Sequence, residues 1–544
     1  MEFPDLPACF ERLRLRLAAA PIRPAAAPEF SILTPVWNTK PHWLTGAAIS
    51  LLEQSNPHWE WCIVDDASTD TRFHSLLDLL SVLPNVRVKK LAAPRGISLA
   101  TNEALHLANG QWVGFLDHDD RLTPNALDEM AQAFQLGADA VYSDSCKIDE
   151  SGSPYEPFHK PDWSPEYFRG VMYIGHFLCV RRDIALDIGG FRKEFDGVQD
   201  FDFMLRFSER TQRIAHVPQI LYHWRAVSGS VAADPAAKSN IGPLQCAAVQ
   251  QHLDRLGLPA DALIGQHSHR VRIQPRPVAH YPKVTIIIPT KDAPDHLERC
   301  LNSIFVKTTY RNFEVVCVDN NTSDQLALRI MEAYPVTRLL WPGRFNFSGV
   351  NNLAVSQTQS DFIVLMNNDV EVRTPDWLEN MVYYARQPDV GAVGALLLYP
   401  NLSVQHAGVV LGCRGTADHV LRGVPHDCDG YAGSVSCARE VSAVTAACML
   451  LPRSTFLSVG GFNEHFFTAY QDVDLCLKIR ALPKRIIYTP RSILIHHESA
   501  TRGAYYDLVD RNLLLDLWEP DIERGDPYYN PHFDVQSCDY RLLG

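Results

Sequence analysis

The chain has 13 cysteines but no Cys-x-x-Cys pair. That removes the spacing of a zinc ribbon or a dithiol centre and gives no disulfide framework, so free thiols in a reducing compartment are expected. No apolar run approaches the roughly eighteen residues that a membrane-spanning helix needs. Basic residues are not in excess: 50 Lys and Arg stand against 63 Asp and Glu, a formal charge of −13, which argues against a nucleic-acid polyanion as partner. No Ser-His-Asp or Cys-His pattern stands out, so nothing calls for a covalent nucleophile. The first residues show no secretory pattern, because charge and Leu alternate from Glu11 to Leu17.

At 544 residues, 46% of them hydrophobic, the chain is a globular protein too long for one ordinary core. The Arg/Leu stretch reads as a short helix docked on the protein, with a peripheral membrane contact as its alternative. An Ala/Pro linker runs from Ala18 to Pro28. Four regions are expected: 1–28 as helix and linker, 29–225 as a first domain, 226–280 as a connector with a helix over Pro243–Leu256, and 281–544 as a second domain.

Ser31–Val36, Trp59–Val64, Val86–Leu91 and Trp112–Leu116 read as strands with helical sequence between them. This βαβ rhythm predicts an α/β fold with a mostly parallel sheet. The order then restarts. Pro289 follows Pro35 by 254 residues, Asp319 follows Asp65 by 254, and Asp369 follows Asp119 by 250. Gly189-Gly190-Phe191 recurs as Gly460-Gly461-Phe462, Gln199-Asp200-Phe201-Asp202 as Gln471-Asp472-Val473-Asp474, and His223 is matched to His496, at offsets of 271 to 273. A whole domain is duplicated. The second copy carries about twenty extra residues, expected between Leu411 and Arg439.

The strands that end in acids carry the chemistry. Phe115-Leu116 runs into Asp117-His118-Asp119-Asp120, and Leu365-Met366 into Asn367-Asn368-Asp369. Carboxylates at the exit of a buried strand lie where open α/β sheets bind ligands. Oxygen ligands there suit a hard divalent cation, which in turn holds a diphosphate. One such stretch alone reads equally well as an Asp-rich turn before a helix. Two in matching contexts favour the site.

The order of a strand ending in Pro, Asp-Asp-x-Ser, an acid-terminated strand, Gly-Gly-Phe, Gln-Asp-x-Asp and a late His resembles the family 2 glycosyltransferases of the GT-A fold, twice over. The pairing of Leu221–Arg225 with His496–Gly503 is similar to tandem bacterial transferases of O-antigen and rhamnan-type polysaccharides. The resemblance implies two Rossmann-like GT-A domains in tandem. It implies inverting, metal-dependent transfer from UDP- or dTDP-sugars to a growing saccharide, free or lipid-linked, at the cytoplasmic side of the cell. Donor-binding residues would be Pro35, Trp37, Asp65, Asp66, Asp117 and Asp144, then Pro289, Asp319, Asn320 and Asn367. Trp37 would stack on the base and Asp66 would accept from its N3–H; Lys291 and Asn320 take their places in the second copy. Asp117, Asp119 and His223, with Asp369 and His496, would hold Mg²⁺ or Mn²⁺. Asp200 and Asp472 would be the general bases; their ordinary alternative is as first-turn helix acids. Two other readings stand beside this one: a single catalytic domain with a degenerate acceptor-binding partner, and a carbohydrate-binding scaffold without turnover.

Overall fold

The computed structural model describes residues 6–19, 27–69, 74–226, 240–497 and 508–543. Most of the 18–28 linker and the stretch Glu498–Gly503 lie outside them. The chain forms two compact units. The first comprises Met1–Trp163, Met172–Leu258 and Ala262–Val271; the second comprises Ser164–Val171, Pro259–Asp261 and Arg272–Gly544.

The first unit is built on β1 (Phe30–Val36), β2 (Trp59–Asp65), β3 (Val86–Lys90), β4 (Trp112–Phe115), β5 (Arg121–Leu122), β6 (Ala140–Ile148), β7 (Pro154–Phe158), β8 (Leu178–Arg181) and β9 (Ile214–Arg225). Their order is β3-β2-β1-β4-β8-β6-β9-β5, with β7 on the side of β6. Strands β1 to β4 run parallel, and β8 is antiparallel to both its neighbours. Every residue of β2 is buried, as expected where both faces of a sheet are covered. The polar groups in this core are paired: Trp61 Nε1 donates to Thr34 Oγ1 at 2.8 Å and Ser31 Oγ to Glu60 at 2.6 Å. Leu13 is buried in this core, so the N-terminal helix Leu6–Ala19 docks on the protein. No helix among the described residues is long and apolar enough to cross a membrane.

Between the halves lie a helix, Ile241–Arg255, and the strands β10 (Ala260–Ile264) and β11 (Val271–Pro275). The second unit repeats the plan with β12 (Val284–Thr290), β13 (Phe313–Asp319), β14 (Val336–Leu340), β15 (Phe362–Met366), β16 (Val370–Val372), β17 (Val390–Leu398), β18 (Val404–His406), β19 (Val409–Leu411), β20 (Ala417–His419), β21 (Arg439–Glu440), β22 (Cys448–Pro452) and β23 (Arg485–His496). The main sheet is ordered β14-β13-β12-β15-β22-β17-β23-β16. β18 pairs with β17 as β7 pairs with β6, and the additional chain lies between β18 and β22, where it forms β19 to β21.

This segment corrects the expectation of free thiols throughout. Cys413 and Cys538 form a disulfide across 125 residues, while the remaining cysteines are not disulfide-bonded. The second unit also takes in the helix Pro165–Gly170 from the first half of the chain. Glu166 meets Arg169 at 2.6 Å and Arg485 at 3.3 Å, and Arg485 also meets Glu440. All four are mostly buried, so each charge relies on its partners.

Candidate active site

Register places the acids. Pro35 lies opposite Val64 and Val36 opposite Asp65, so Trp37 and Asp66 leave the sheet side by side at its carboxyl edge. Trp37 is 60% exposed, a large apolar face turned to solvent. Asp65 is buried, its Oδ1 accepting from Ser68 N at 3.1 Å and Ser68 Oγ at 2.6 Å. Asp66 accepts from the amides of Arg95 (2.7 Å) and Gly96 (2.9 Å), so it secures the loop after β3. In the second unit Pro289 and Thr290 pair with Val318 and Asp319. Asp319 is buried and holds Thr322 N at 2.7 Å and Arg338 Nε at 2.9 Å, while Asn320 and exposed Lys291 follow.

Around the exit of β4, Asp120 is buried. It accepts from Tyr222 Oη at 2.6 Å and Arg225 N at 2.7 Å, and Arg225 Nε donates to the Asp119 carbonyl at 2.7 Å. These contacts hold the acidic turn against β9. Desolvation and the neighbouring Asp119 push Asp117 up to about 6. His176 Nε2 lies 3.8 Å from Asp117 Oδ2 and stacks on Tyr222, ring centroids 4.8 Å apart. Desolvation brings His176 down to about 4 against the opposing pull of Asp200. Ligand atoms of Asp117, Asp120 and His176 all lie within 4.8 Å of one another, a donor set that fits a divalent cation. Sequence reading passed over His176, a lone histidine in an apolar stretch.

Asp200 opens the helix Gln199–Ser208 and accepts from Phe201 N at 2.9 Å. Desolvation raises it, His176 opposes that, and the Asp117 charge adds to it. Asp472 opens Gln471–Arg480, accepts from Val473 N at 2.9 Å and Ala446 N at 3.1 Å, and is likewise raised by desolvation. The second acid of each Gln-Asp-x-Asp is an anchor instead: Asp202 pairs with Arg206 at 2.9 Å and with Arg192, and Asp474 pairs with Lys478 at 3.1 Å. The repeated Gly-Gly-Phe has a steric reason. At Gly190 (φ +65°) a Cβ would fall 2.3 Å from Asn102 Oδ1, and at Gly461 (φ +67°) 2.7 Å from Asn352 Oδ1. Those Asn oxygens accept from Phe191 N (2.8 Å) and Phe462 N (3.0 Å), fixing the approach to each helix.

Asp144 departs from the expected donor-sugar contact. It is fully buried, its carboxylate taken by His159 Nδ1 (2.7 Å), His216 Nε2 (2.8 Å) and Lys160 N (2.9 Å). Burial alone would raise it; these hydrogen bonds hold it well below the usual carboxylate range. Its role is to knit β6 to β9.

In the second unit Asn367 Nδ2 lies 3.2 Å from His496 Nε2, and Asn368 donates to Thr290 Oγ1 at 3.2 Å. Asp369 Oδ1 is buried, and His496 Nε2 stands 3.1 Å from it and helps hold Asp369 below its ordinary value against the effect of burial. His496 Nδ1 contacts Gln405 Oε1 at 2.8 Å. A buried carboxylate oxygen facing an imidazole nitrogen fits a cation site.

Strand register corrects the pairing of His223 with His496. Arg121 faces His223, and Glu371, in the same place after its acid, faces Ile495. His223 thus corresponds to Ile495, Trp224 to His496 and Arg225 to His497. Because faces alternate along a strand, a one-residue difference turns His223 the other way.

The family model described as "Glycosyl transferase family 2" matches residues 31–191 and 285–414, together more than half of the chain. "O-antigen biosynthesis protein RfbC" of Myxococcus xanthus is 38% identical over 99% of this chain and 43% of its own length. "Uncharacterized protein y4gI" of Sinorhizobium fredii is 38% identical over 95% and 58%. The chain spans about half the length of these curated relatives. Among solved structures, S. aureus TarS 1–349 in complex with UDP-GlcNAc is 21% identical with a TM-score of 0.34, over 40% of this chain and 66% of that one. Mannosyltransferase PcManGT from Pyrobaculum calidifontis is 21% identical with a TM-score of 0.31, over 42% and 59%. With the family match over more than half of the chain and the acid-terminated strands inside both matched stretches, this chain belongs to glycosyl transferase family 2.

Proposed function

We propose that each unit transfers a glycosyl residue from a UDP- or dTDP-sugar to a saccharide acceptor, free or lipid-linked, in assembly of a cell-surface polysaccharide, with inversion at the anomeric carbon. One observation carries this reading. Asp200 and Asp472 open equivalent helices, each held by the amide of the next residue at 2.9 Å and each raised by desolvation. A carboxylate held in that way can take a proton.

Trp37 offers a face for the donor base at the first site. Asp200 removes the proton from the acceptor hydroxyl as its oxygen attacks the anomeric carbon, and the bond to the diphosphate oxygen breaks on the opposite side. Asp117 and Asp119 in the first unit, and Asp369 with His496 in the second, would hold a divalent cation. When bound, that ion supplies neutralising charge to the departing diphosphate. Asp472 takes the base role in the second unit. The O-antigen name of the M. xanthus relative supports the polysaccharide setting. A second reading, in which the second unit only binds acceptor, is favoured by Asn367 and Asn368, which leave Asp369 as the one acid at that strand exit.

The test is transfer by purified chain from a panel of UDP- and dTDP-sugars, with NMR assignment of the new anomeric centre. Inverted configuration is expected. Retention, or neither transfer nor donor hydrolysis with any donor and metal, would contradict the proposal.

A further inference from the structure

The two sites differ in where their imidazole comes from. In the sheets, Cys179 pairs with Gly114 and Val141, and Leu450 pairs with Val364 and Val393, so β8 and β22 are superposed residue for residue. Counting back from there, His176 corresponds to Ala447. From the other side of the site, Trp224 corresponds to His496, as the β5–β9 and β16–β23 registers require. Thus the first unit has histidine before β8 and tryptophan on β9, while the second has alanine before β22 and histidine on β23. In the first unit a tryptophan takes the position that carries the imidazole in the second, and in the second an alanine takes the position that carries it in the first.

Each imidazole approaches the strand-exit acids and has its own support. His176 Nε2 is 3.8 Å from Asp117 Oδ2, stacks on Tyr222 and lies 6.0 Å, centroid to centroid, from Trp224. His496 Nε2 is 3.1 Å from Asp369 Oδ1 and is fixed through Nδ1 by Gln405 on β18, the strand that pairs with β17 as β7 pairs with β6. Tyr222 corresponds to Leu494, which has no hydroxyl or aromatic face, so the second site needs another positioning partner. Gln405 fills that role.

We infer that His176, not His223, is the imidazole of the first cation–diphosphate site, and that His176 and His496 are equivalent ligands delivered from different strands. This rests on the proposed metal-dependent transfer. In the first unit Asp117 and His176 are brought together, and Asp119, two residues along the same turn, would complete the set. Asp120 lies within reach, but both its oxygens already accept hydrogen bonds from Tyr222 and Arg225.

The test is Mn²⁺ binding to the full chain with UDP or dTDP, read by loss of the free-ion EPR signal, which requires no turnover. Wild type is expected to bind two ions. His176→Ala should weaken one site by at least about tenfold, His496→Ala should weaken the other, and His223→Ala should change neither. Trp224→His in the His176→Ala background should restore the first site, because position 224 is the equivalent of 496. His176→Gln gives the same reading with a polar side chain retained, should the alanine variant melt early. Two unweakened sites in His176→Gln, or loss of one site in His223→Ala, would overturn the inference while leaving the metal reading intact. Failure of wild type to bind Mn²⁺ with either nucleotide would overturn both.

Discussion

In the first unit the fourth strand ends in two carboxylates, Asp117 and Asp119, and a histidine just before β8 lies beside Asp117; in the second, Asn367 and Asp369 face a histidine from β23. Behind these exits the units differ again. The first buries a charged set, Asp144 with His159 and His216. Register puts Leu396 and Tyr488 where Asp144 and His216 stand, so the second unit is apolar there. Its own buried imidazoles, His406 on β18 and His419 on the additional strand β20, have Nδ1 atoms 3.3 Å apart. The frame of strands and helix-opening aspartates is common to both, and the groups between them have changed. Duplication fixed where an acid must leave the sheet more tightly than which neighbour supports it.

The largest effect expected is from chelation. EDTA should abolish transfer at both sites and Mn²⁺ should restore it, with the second site needing more ion because it has one carboxylate instead of two. Equal Mn²⁺ requirements, read from the two linkages separately, would remove that distinction. Glu166→Ala comes next. It leaves Arg169 buried without its 2.6 Å partner, and loss of one member of a buried pair costs about 3–5 kcal/mol. Hydrogen exchange should rise in β17 and β23 while β1 and β2 stay protected; the reverse would place the helix Pro165–Gly170 with the wrong unit.

Trp37→Ala removes the exposed indole at the first site. Base stacking is worth about 1–3 kcal/mol, so titration with UDP or dTDP should show one of two sites weakened roughly tenfold or more, while Lys291→Ala weakens neither by that mechanism. The smallest effect is in pH. Burial alone would lower His216, but its bonds to Asp144 and Asp162 raise it. The stability it adds is therefore full below the ordinary histidine value near 6.5 and is lost as pH rises through its higher folded value. Burial lowers His406 and His419, the latter to about 4. The second unit should therefore weaken as pH falls from about 6.5 toward 4, as should the first, where burial lowers His176 to about 4, so the alkaline side separates the two. Melting of the first unit should fall on the alkaline side, and His216→Gln should flatten that fall. If both units share one pH profile, the difference in buried charge has no energetic consequence.

Much of this was legible beforehand. Apolar runs ending in Pro35, Asp65, Asp119 and their later echoes mark strand exits because a doubly covered sheet needs continuous apolar strands. The helix-opening aspartates recur with their glycine turns. What sequence could not supply was register. The offset is 271 at Gly-Gly-Phe and 272 at the helix-opening aspartates, and the sheets keep 272 along β9 and β23, whereas pairing the two late histidines needs 273. A drift too small to notice in a string inverts a side chain on a strand, which is how His223 was matched to His496. Asp144 looked available because its partners His159 and His216 lie 15 and 72 residues away. The Cys413–Cys538 bond and the move of Pro165–Gly170 into the second unit also depend on distant partners.

The most direct test of two catalysts in one chain is linkage analysis of product made by Asp200→Asn and Asp472→Asn. The substitution keeps shape but cannot accept the proton, and loss of a general base costs about 10²–10⁴-fold. Each variant should still bind donor and should stall after a different residue or linkage, and mixing the two should restore elongation. Wild-type product length and linkage from either variant would show that its domain is not a catalyst.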